Sequence, residues 1–322
     1  MSSYRSRVVW AIAFAGITSL TVFAGSSYAA NRSLPSTALA PSSAAPAVVR
    51  PESTATALLT DSLAGKSGKL WMRLVGRSRE TGLTVLRRLF GDSAANRPGV
   101  YTLKDSLTGK PFSFVNLVPF GDKERGLIGS YRMGRWPAER KSPRTGAYEN
   151  PDGFIEVTPD NQEVRVSENF QLRDFLTHDQ GTVWPKYLVL SESLVDKLEL
   201  TIAALRQKGI RTDRLVVMSG FRTPAYNAKG VRPGGRAKDS RHQFGDAADV
   251  FVDNNGDGRM DDINHDGRVN SRDARFLAQV VDEVERDNAD LVGGVGVYPA
   301  NRVHGPFVHV DVRGARARWG LR

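Results

Sequence analysis

The chain contains no cysteine. That absence excludes disulfide staples, a lipid-bearing N-terminal cysteine, thiolate zinc sites and cysteine nucleophiles. With 322 residues there is material for one large domain or two modest ones, so core packing or bound metal must hold the fold. Histidine is scarce as well. Five occur, at positions 178, 242, 265, 304 and 309, which leaves imidazole chemistry few places to be. Long apolar runs are missing with one exception, so no other segment reaches the roughly 17 residues that can span a bilayer.

The exception lies at the start. Arg5 and Arg7 precede an apolar run from Val8 to Ala24, and Ser27-Tyr28-Ala29 supplies small residues where a leader is cut. This layout predicts a secretory signal peptide over residues 1–29; the competing reading is an uncleaved anchor helix. Ser6 separates the two arginines, so the pair typical of folded-protein export is missing. The expectation is export to the periplasm or cell envelope, with no stable membrane insertion once the signal is gone. Losing residues 1–29 removes two arginines and no acid, taking the net charge from +10 to +8. Such a surplus suits a polyanionic neighbourhood such as a bacterial wall, although solubility alone explains it equally well. Export and the lack of a recognition motif argue against a nucleic-acid partner.

Residues 30–65 are mostly Ala, Ser, Pro and Thr and read as a disordered linker. Residues 66–165 read as a β-rich accessory region. Within it Lys69 to Phe90 mixes apolar and basic residues at roughly helical spacing, expected to pack on the domain rather than lie on a membrane surface. Short β-like runs follow at Tyr101 to Leu103, Phe112 to Val118 and Phe154 to Val157, separated by Gly, Pro, Asn and Asp turns.

From residue 166 onward the pattern is α+β. Leu194, Val195, Leu198, Ile202 and Leu205 share one helical face, with a serine before them and Gly209 after. "RLVVMSG" reads as a buried strand stopped by Gly220. A second amphipathic helix is expected over Ser271 to Asp287, and strands at "GVGVYP" and "FVHVDVRG". The overall expectation is a small antiparallel sheet with flanking helices.

Two of the five histidines sit in informative company. His242 lies in "SRHQFGDAAD", seven positions before Asp249. In "FVHVDVRG" the valines alternate with His309 and Asp311, so a strand would bury Val308 and Val310 and turn His309 and Asp311 to the opposite face. Two imidazoles and one carboxylate form a three-ligand set with one open position, where zinc can polarise a carbonyl and activate water.

The pattern Ser240-x-His242-x-x-Gly245-x-Ala247-x-Asp249 followed by His309-x-Asp311 resembles the LAS-type zinc peptidases. That family holds D-alanyl-D-alanine carboxypeptidases and peptidoglycan endopeptidases. "SGFRTPAYN" and "VSENFQLRDF" are similar to its upstream segments. "GGVGVYP" with Arg318-Trp319 looks most like its murein-endopeptidase branch. The likeness covers residues 166–322. It implies His242, Asp249 and His309 as zinc ligands, and Arg222 as the group that binds a substrate carboxylate or stabilises the oxyanion. Asn227 would support the Arg222 loop, and Ser240 would serve a turn. The family's usual base positions hold Pro306 and Phe307 here. That leaves Asp311 as the proton-handling candidate, with orientation of His309 or direct ligation as alternatives, and His304 as a distant one.

Directly after Asp249 comes an oxygen-rich stretch, "DNNGDGRMDDINHDGRVNSRDA". Asp262, Asn264, Asp266, the carbonyl of Arg268, Asn270 and Asp273 fit a calcium loop, with Gly267 at its sharp turn. Asp253, Asn255 and Asp257 begin the same pattern, with Asp261 a further candidate, and suggest a second calcium. His265 is expected to face solvent. The sequence thus points to an exported peptidoglycan peptidase using zinc, with an inserted calcium loop over 253–273. The competing reading is a non-catalytic, metal-binding wall module.

Overall fold

The computed structural model describes residues 64–76, 80–104, 109–140, 148–231 and 235–321. The expected signal peptide and all but the end of the linker lie outside these residues. Among the described residues no helix is long and apolar enough to cross a membrane.

The elements run β1 (Met72–Val75), α1 (Glu80–Phe90), α2 (Asp92–Asn96), β2 (Gly99–Lys104), β3 (Pro111–Asn116), β4 (Val118–Pro119), β5 (Leu127–Ile128) and β6 (Tyr131–Arg132). They continue with β7 (Gly153–Val157), β8 (Lys186–Leu188), α3 (Glu192–Gln207), β9 (Leu215–Ser219), α4 (Pro224–Lys229) and β10 (Ala247–Val252). The last are α5 (Ser271–Asp287), β11 (Gly294–Tyr298), β12 (Phe307–Asp311) and β13 (Ala317–Trp319). Small sheets and few helices make this a mixed α/β chain, compatible with the α+β expectation.

The largest sheet among the described residues has five strands in the order β13-β11-β12-β10-β9. Its pairs are antiparallel except β11 with β13 at one edge, which run parallel. Alternation in β11 and β12 drives Val295, Val297, Val308 and Val310 into the core, where α5 lies across both strands and α3 packs against α5. Burial of this apolar layer, at roughly 25 cal/mol per Å², is the main force fixing the sheet against the helices. β9 corrects the expected buried strand: only Leu215 is fully buried, because β9 is the edge strand. β13 was not anticipated.

Residues 66–165 do not pack only among themselves. Leu70, Met72, Val115, Tyr131, Trp136 and Phe154 join the same apolar cluster as Leu198, Val250 and Val310. The boundary expected at residue 165 thus divides stretches that pack together. Lys69 to Phe90 also departs from its helical expectation. Its first part includes β1, which pairs in parallel with β3, and among the described residues of this stretch the helix is Glu80–Phe90. The helix covers the far side of this three-stranded sheet, where Leu86 meets Phe112 and Phe114 in a small second cluster.

One charge inside the molecule ties the layers together. Lys197 of α3 is fully buried. Its Nζ donates to Glu285 of α5 at 2.6 Å and to the backbone carbonyl of Asp311 at 2.8 Å. Glu285 also accepts from the Gly293 N–H at 3.1 Å and pairs with Arg318 of β13. Burial lowers the pKa of Lys197, partly offset by Glu285. Removing the lysine leaves buried Glu285 with Arg318 as its remaining charged partner here and takes a donor from the Asp311 carbonyl. Lys197→Met should therefore lower unfolding stability by about 3–5 kcal/mol. Urea titration should show a lower midpoint with the slope kept. A change below about 1 kcal/mol would mean water or relaxation replaces the lysine.

Candidate metal centre

Register puts the site together. β10 and β12 pair antiparallel with Asp249 directly opposite His309, and Ala247 opposite Asp311. Both functional side chains thus stand on the sheet face away from the helices. His242 comes from a short turn, Arg241–Phe244, that closes at Gly245. Gly245 has φ 66°, and a Cβ there would lie 2.1 Å from the Val189 carbonyl, so only glycine fits. The Arg241–Asp246 ion pair and the Ser191 N–H to the Gly245 carbonyl, 2.9 Å, brace the turn.

The three donors converge. His242 Nε2 lies 3.1 Å from His309 Nδ1 and 3.2 Å from Asp249 Oδ1, and His309 Nδ1 lies 3.0 Å from the same oxygen. Among the described residues this is the one such cluster of three His or carboxylate side chains, and all three members are buried. Each donor is also aimed from behind. His242 Nδ1–H donates to the Gly220 carbonyl at 2.7 Å, which leaves Nε2 with its lone pair facing the cluster. His309 Nε2–H donates to Asp311 Oδ2 at 3.1 Å, which leaves Nδ1, 3.0 Å from Asp249 Oδ1, as the nitrogen facing the cluster. Asp249 Oδ2 pairs with Arg222. The arrangement can hold a metal ion.

Asp311 therefore sits behind His309 rather than beside the open side of the cluster. It is fully buried, and its oxygens are taken by His309, Arg313 and the Gly294 N–H at 2.7 Å. Of the alternatives for this residue, orienting His309 is the one its contacts match; a proton-handling role at the metal face is not what they suit. Arg222 likewise departs from expectation. It is engaged with Asp249, and its Nε donates to Ser219 Oγ at 2.8 Å, so the guanidinium serves that carboxylate instead of standing free. The Asn227 side chain ties α4 to the carbonyls of Ala237 at 2.9 Å and Lys238 at 3.3 Å, in the segment before Ser240 rather than in the Arg222 loop. Ser240 forms the turn before His242. His304 hydrogen-bonds Asn301 at 2.8 Å in its own loop and stays outside the cluster.

Several supporting residues escaped the sequence reading. Trp136, fully buried, donates its indole N–H to the Gln243 carbonyl at 2.8 Å, so residues 66–165 reach the turn that carries His242. His178 follows Thr177, whose Oγ bonds the Phe221 carbonyl at 3.0 Å and the Thr223 N–H at 3.2 Å, on either side of Arg222. Burial, then Arg222 and Arg236, lower the pKa of His178. Trp319 on β13 lies against the His309 ring, centroids 5.2 Å apart. Only the alternating glycines of "GVGVY" hinted at space on that face.

The oxygen-rich stretch folds as two consecutive windings of the same shape. Backbone φ is positive at Gly256 and Gly258 in the first, and at His265 and Gly267 in the second. Asp253 accepts from the N–H groups of Gly256, Asp257 and Gly258, and Asp262 from those of Asp266 and Gly267. Asn255 and Asn264 accept from Asp257 and Asp266 in matching fashion, each at 2.9 Å. Asp257 and Asp266 accept from Arg259 and Arg268. Asp261 accepts from the Asn254 N–H at 2.8 Å, a link between the two ends of the first winding. Asp273 is buried and receives the N–H groups of Ile263, Asn264 and Asn270. Asn270 caps α5 through the Arg272 N–H at 2.8 Å, a role different from the loop contact expected of it. His265 is exposed, as its place in the loop suggests.

Compared with protein-family models, with curated proteins and with solved structures, the chain finds no match.

Electrostatics separate the two imidazoles. Burial, the largest influence, drives His242 below the ordinary histidine value of 6.5 against the pull of Asp249. Burial also opposes charge on His309, but hydrogen bonds to Asp249 and Asp311 outweigh it and hold this ring above 6.5. Asp249 is kept well below the usual carboxylate range, burial being overcome by both histidines. Metal uptake must displace the proton on a ligand nitrogen. Near pH 6.5 the chain should thus release about one proton on taking up zinc as a test metal, from His309, and not two. Calorimetric titration in buffers of different ionisation enthalpy counts that proton. A count near two would show both rings charged beforehand, and a count of zero would show His309 already neutral.

Proposed function

We propose that the chain is an exported zinc-dependent peptidase that hydrolyses amide bonds of peptidoglycan stem peptides or their cross-links, endopeptidase action being favoured over D,D-carboxypeptidase action. The observation that carries the reading is the buried cluster of His242, Asp249 and His309, with a separate partner behind each donor. Two nitrogens and one carboxylate oxygen suit zinc better than the hard, oxygen-seeking cations. The substrate class comes from the resemblance of these same segments to the LAS-type peptidases, and export from the signal-like first 29 residues.

Zinc bound there would polarise a carbonyl and make water a nucleophile near neutral pH. The chain's own groups prepare for that. The Gly220 carbonyl and Asp311 each hold a proton on the rear nitrogen of an imidazole, which fixes the tautomer and the ring angle. Arg222 pairs with Asp249 Oδ2 and leaves Oδ1 turned to the cluster, while His242 and His309 keep the carboxyl ionised. Arg313 and the Gly294 N–H hold Asp311 as a carboxylate below the usual range, burial being outweighed by His309 and Arg313.

The second winding is read as a calcium site, through Asp262, Asn264, Asp266, the Arg268 carbonyl and Asp273, and the first as a second one, through Asp253, Asn255 and Asp257. Support comes from their matching shapes and from the spacing of oxygen side chains. Asp253 directly follows β10, which carries Asp249, so calcium there would stiffen the strand that bears a zinc ligand.

A second reading has one observation in its favour. Asp311 is turned behind His309, and Pro306 occupies the position three residues before it, where family members carry an acid. A non-catalytic wall-binding module that keeps the metal would look like this.

Purified protein incubated with isolated peptidoglycan should release fragments whose masses name the bond cut, while His242→Ala, with its metal cluster broken, releases none. Silence from the native protein with zinc bound would move the assignment to the binding module. For calcium, protein stripped of metal and then given calcium at about a hundred times its dissociation constant should gain about 2.7 kcal/mol of stability for each site filled. An unchanged melting midpoint in millimolar calcium would remove calcium from the assignment.

A further inference from the structure

The Arg222 guanidinium is taken by Asp249, but a second guanidinium stands nearby. Arg236 lies just beyond α4, where its N–H bonds the Gly230 carbonyl at 3.1 Å. Its side chain lies over the Tyr226 ring, 4.4 Å from the centroid, and Nη1 donates to the Tyr226 carbonyl at 3.0 Å. Gly230 makes room for it, since a Cβ there would lie 2.3 Å from Arg236 Cδ and 2.5 Å from Nε. A planar cation held on an aromatic face has little freedom left to lose, and the rest of its donor fork stays available.

The other cations around it are matched, and Arg236 is not. Lys229 lies 5.9 Å from the same ring centroid and is paired with Asp179 at 3.2 Å, and Arg222 is paired with Asp249. Among the described residues Arg236 has no carboxylate partner, and the His178 ring has no hydrogen bond. Contacts link the segments that carry these groups. The Tyr226 N–H donates to Thr223 Oγ at 3.1 Å, and the Thr223 N–H to Thr177 Oγ at 3.2 Å. Thr177 precedes His178, and both arginines act on that imidazole: desolvation, then Arg222 and Arg236, lower its pKa. His178 is exposed and Arg236 half-buried, so a ligand in solution can reach both. Like charges gathered in this way repel one another, and a bound anion removes the repulsion.

We infer that Arg236 and His178 form a binding site for an oxyanion, the carboxylate or phosphate group of a ligand, at the rim of the metal cluster. Its chemistry is opposite to that of the cluster, whose donors take a cation, while a guanidinium fork takes two oxygens. Arg222 joins the two, because it pairs with Asp249 on one side and repels charge on His178 on the other. A ligand that reaches the metal and carries an oxyanion would thus be held at two points. The site needs no scissile bond and so goes beyond the peptidase reading. A guanidinium that only props Tyr226 would bind no anion, which the following test decides.

The full-length chain is titrated with acetate and, separately, with inorganic phosphate at constant ionic strength, with and without zinc bound. The Arg236 Nε–H and His178 ring signals are followed by NMR. Both should shift saturably. Acetate alone acting would name a carboxylate, phosphate alone a phosphate, and both a site that accepts either. Saturation should persist without zinc, because the cluster is not part of the site. In Arg236→Gln the His178 signals should report binding about tenfold weaker, with zinc uptake as in the native chain, and Arg236→Lys should restore part of the affinity. No saturable shift with either anion would overturn the inference, as would equal affinity in Arg236→Gln. Shifts seen only with zinc bound would overturn it too, since they place the anion on the metal. Anion binding by a chain that releases nothing from peptidoglycan would leave this site standing and end only the peptidase reading.

Discussion

Asp249 and His309 face each other across β10 and β12, and the rest of the centre depends on that pairing. A side chain on a strand can be moved to the other face by a slip of one residue, so the pairing must be held firmly. The valines on the reverse face supply the hold. Val250, Val308 and Val310 are all fully buried, and a slip would carry them out of the core. The same apolar layer that folds the sheet thereby fixes the distance between two metal-cluster groups. His242 arrives from outside the strands and depends on a different constraint, the contact of Gly245 with the Val189 carbonyl.

Charge is used at two depths. At the cluster, every donor has a charged or dipolar partner behind it, so ring tautomers and carboxylate orientation are set without metal. Deeper, Lys197, Glu285 and Arg318 connect α3, α5 and β13, and the lysine reaches the carbonyl of Asp311. The two systems meet at that residue: its side chain serves His309 and its backbone serves Lys197. A buried lysine is costly to desolvate, and here the cost falls where the helices and β12 must keep one relative position.

Residues 66–165 acquire a role through packing rather than chemistry. Trp136 bonds the Gln243 carbonyl beside His242, and the Met133 carbonyl receives the Ala225 N–H of α4, 3.0 Å away, beyond the turn that carries Arg222. Both segments that flank the cluster are thus held from the N-terminal side. The windings after β10 extend the same principle at the other end. They place buried Asp253 and Asp273 at the junctions of β10 and α5 with the loop.

The sequence alone determined the local features. Alternation of valine with His309 and Asp311 marked the strand and its two faces, and the amphipathic spacing set the helix over Ser271 to Asp287. The Ser240 to Asp249 pattern named the residues that do converge. These are readable because their cause is local: a period of two or 3.6, or a turn that needs glycine. Only the tertiary structure decided what each charged group serves. Asp311 and Arg222 look like free catalytic groups on the chain, but the fold places Asp311 behind His309 and spends Arg222 on Asp249. Nothing near Lys197 in sequence signals a partner 88 residues away in Glu285. The parallel edge strand that brings Trp319 to His309 is equally silent, because its register depends on the strand beside it and not on its own three residues. Side-chain roles follow from what stands opposite across a sheet, and that is a property of pairing between distant segments, which no single stretch of chain contains.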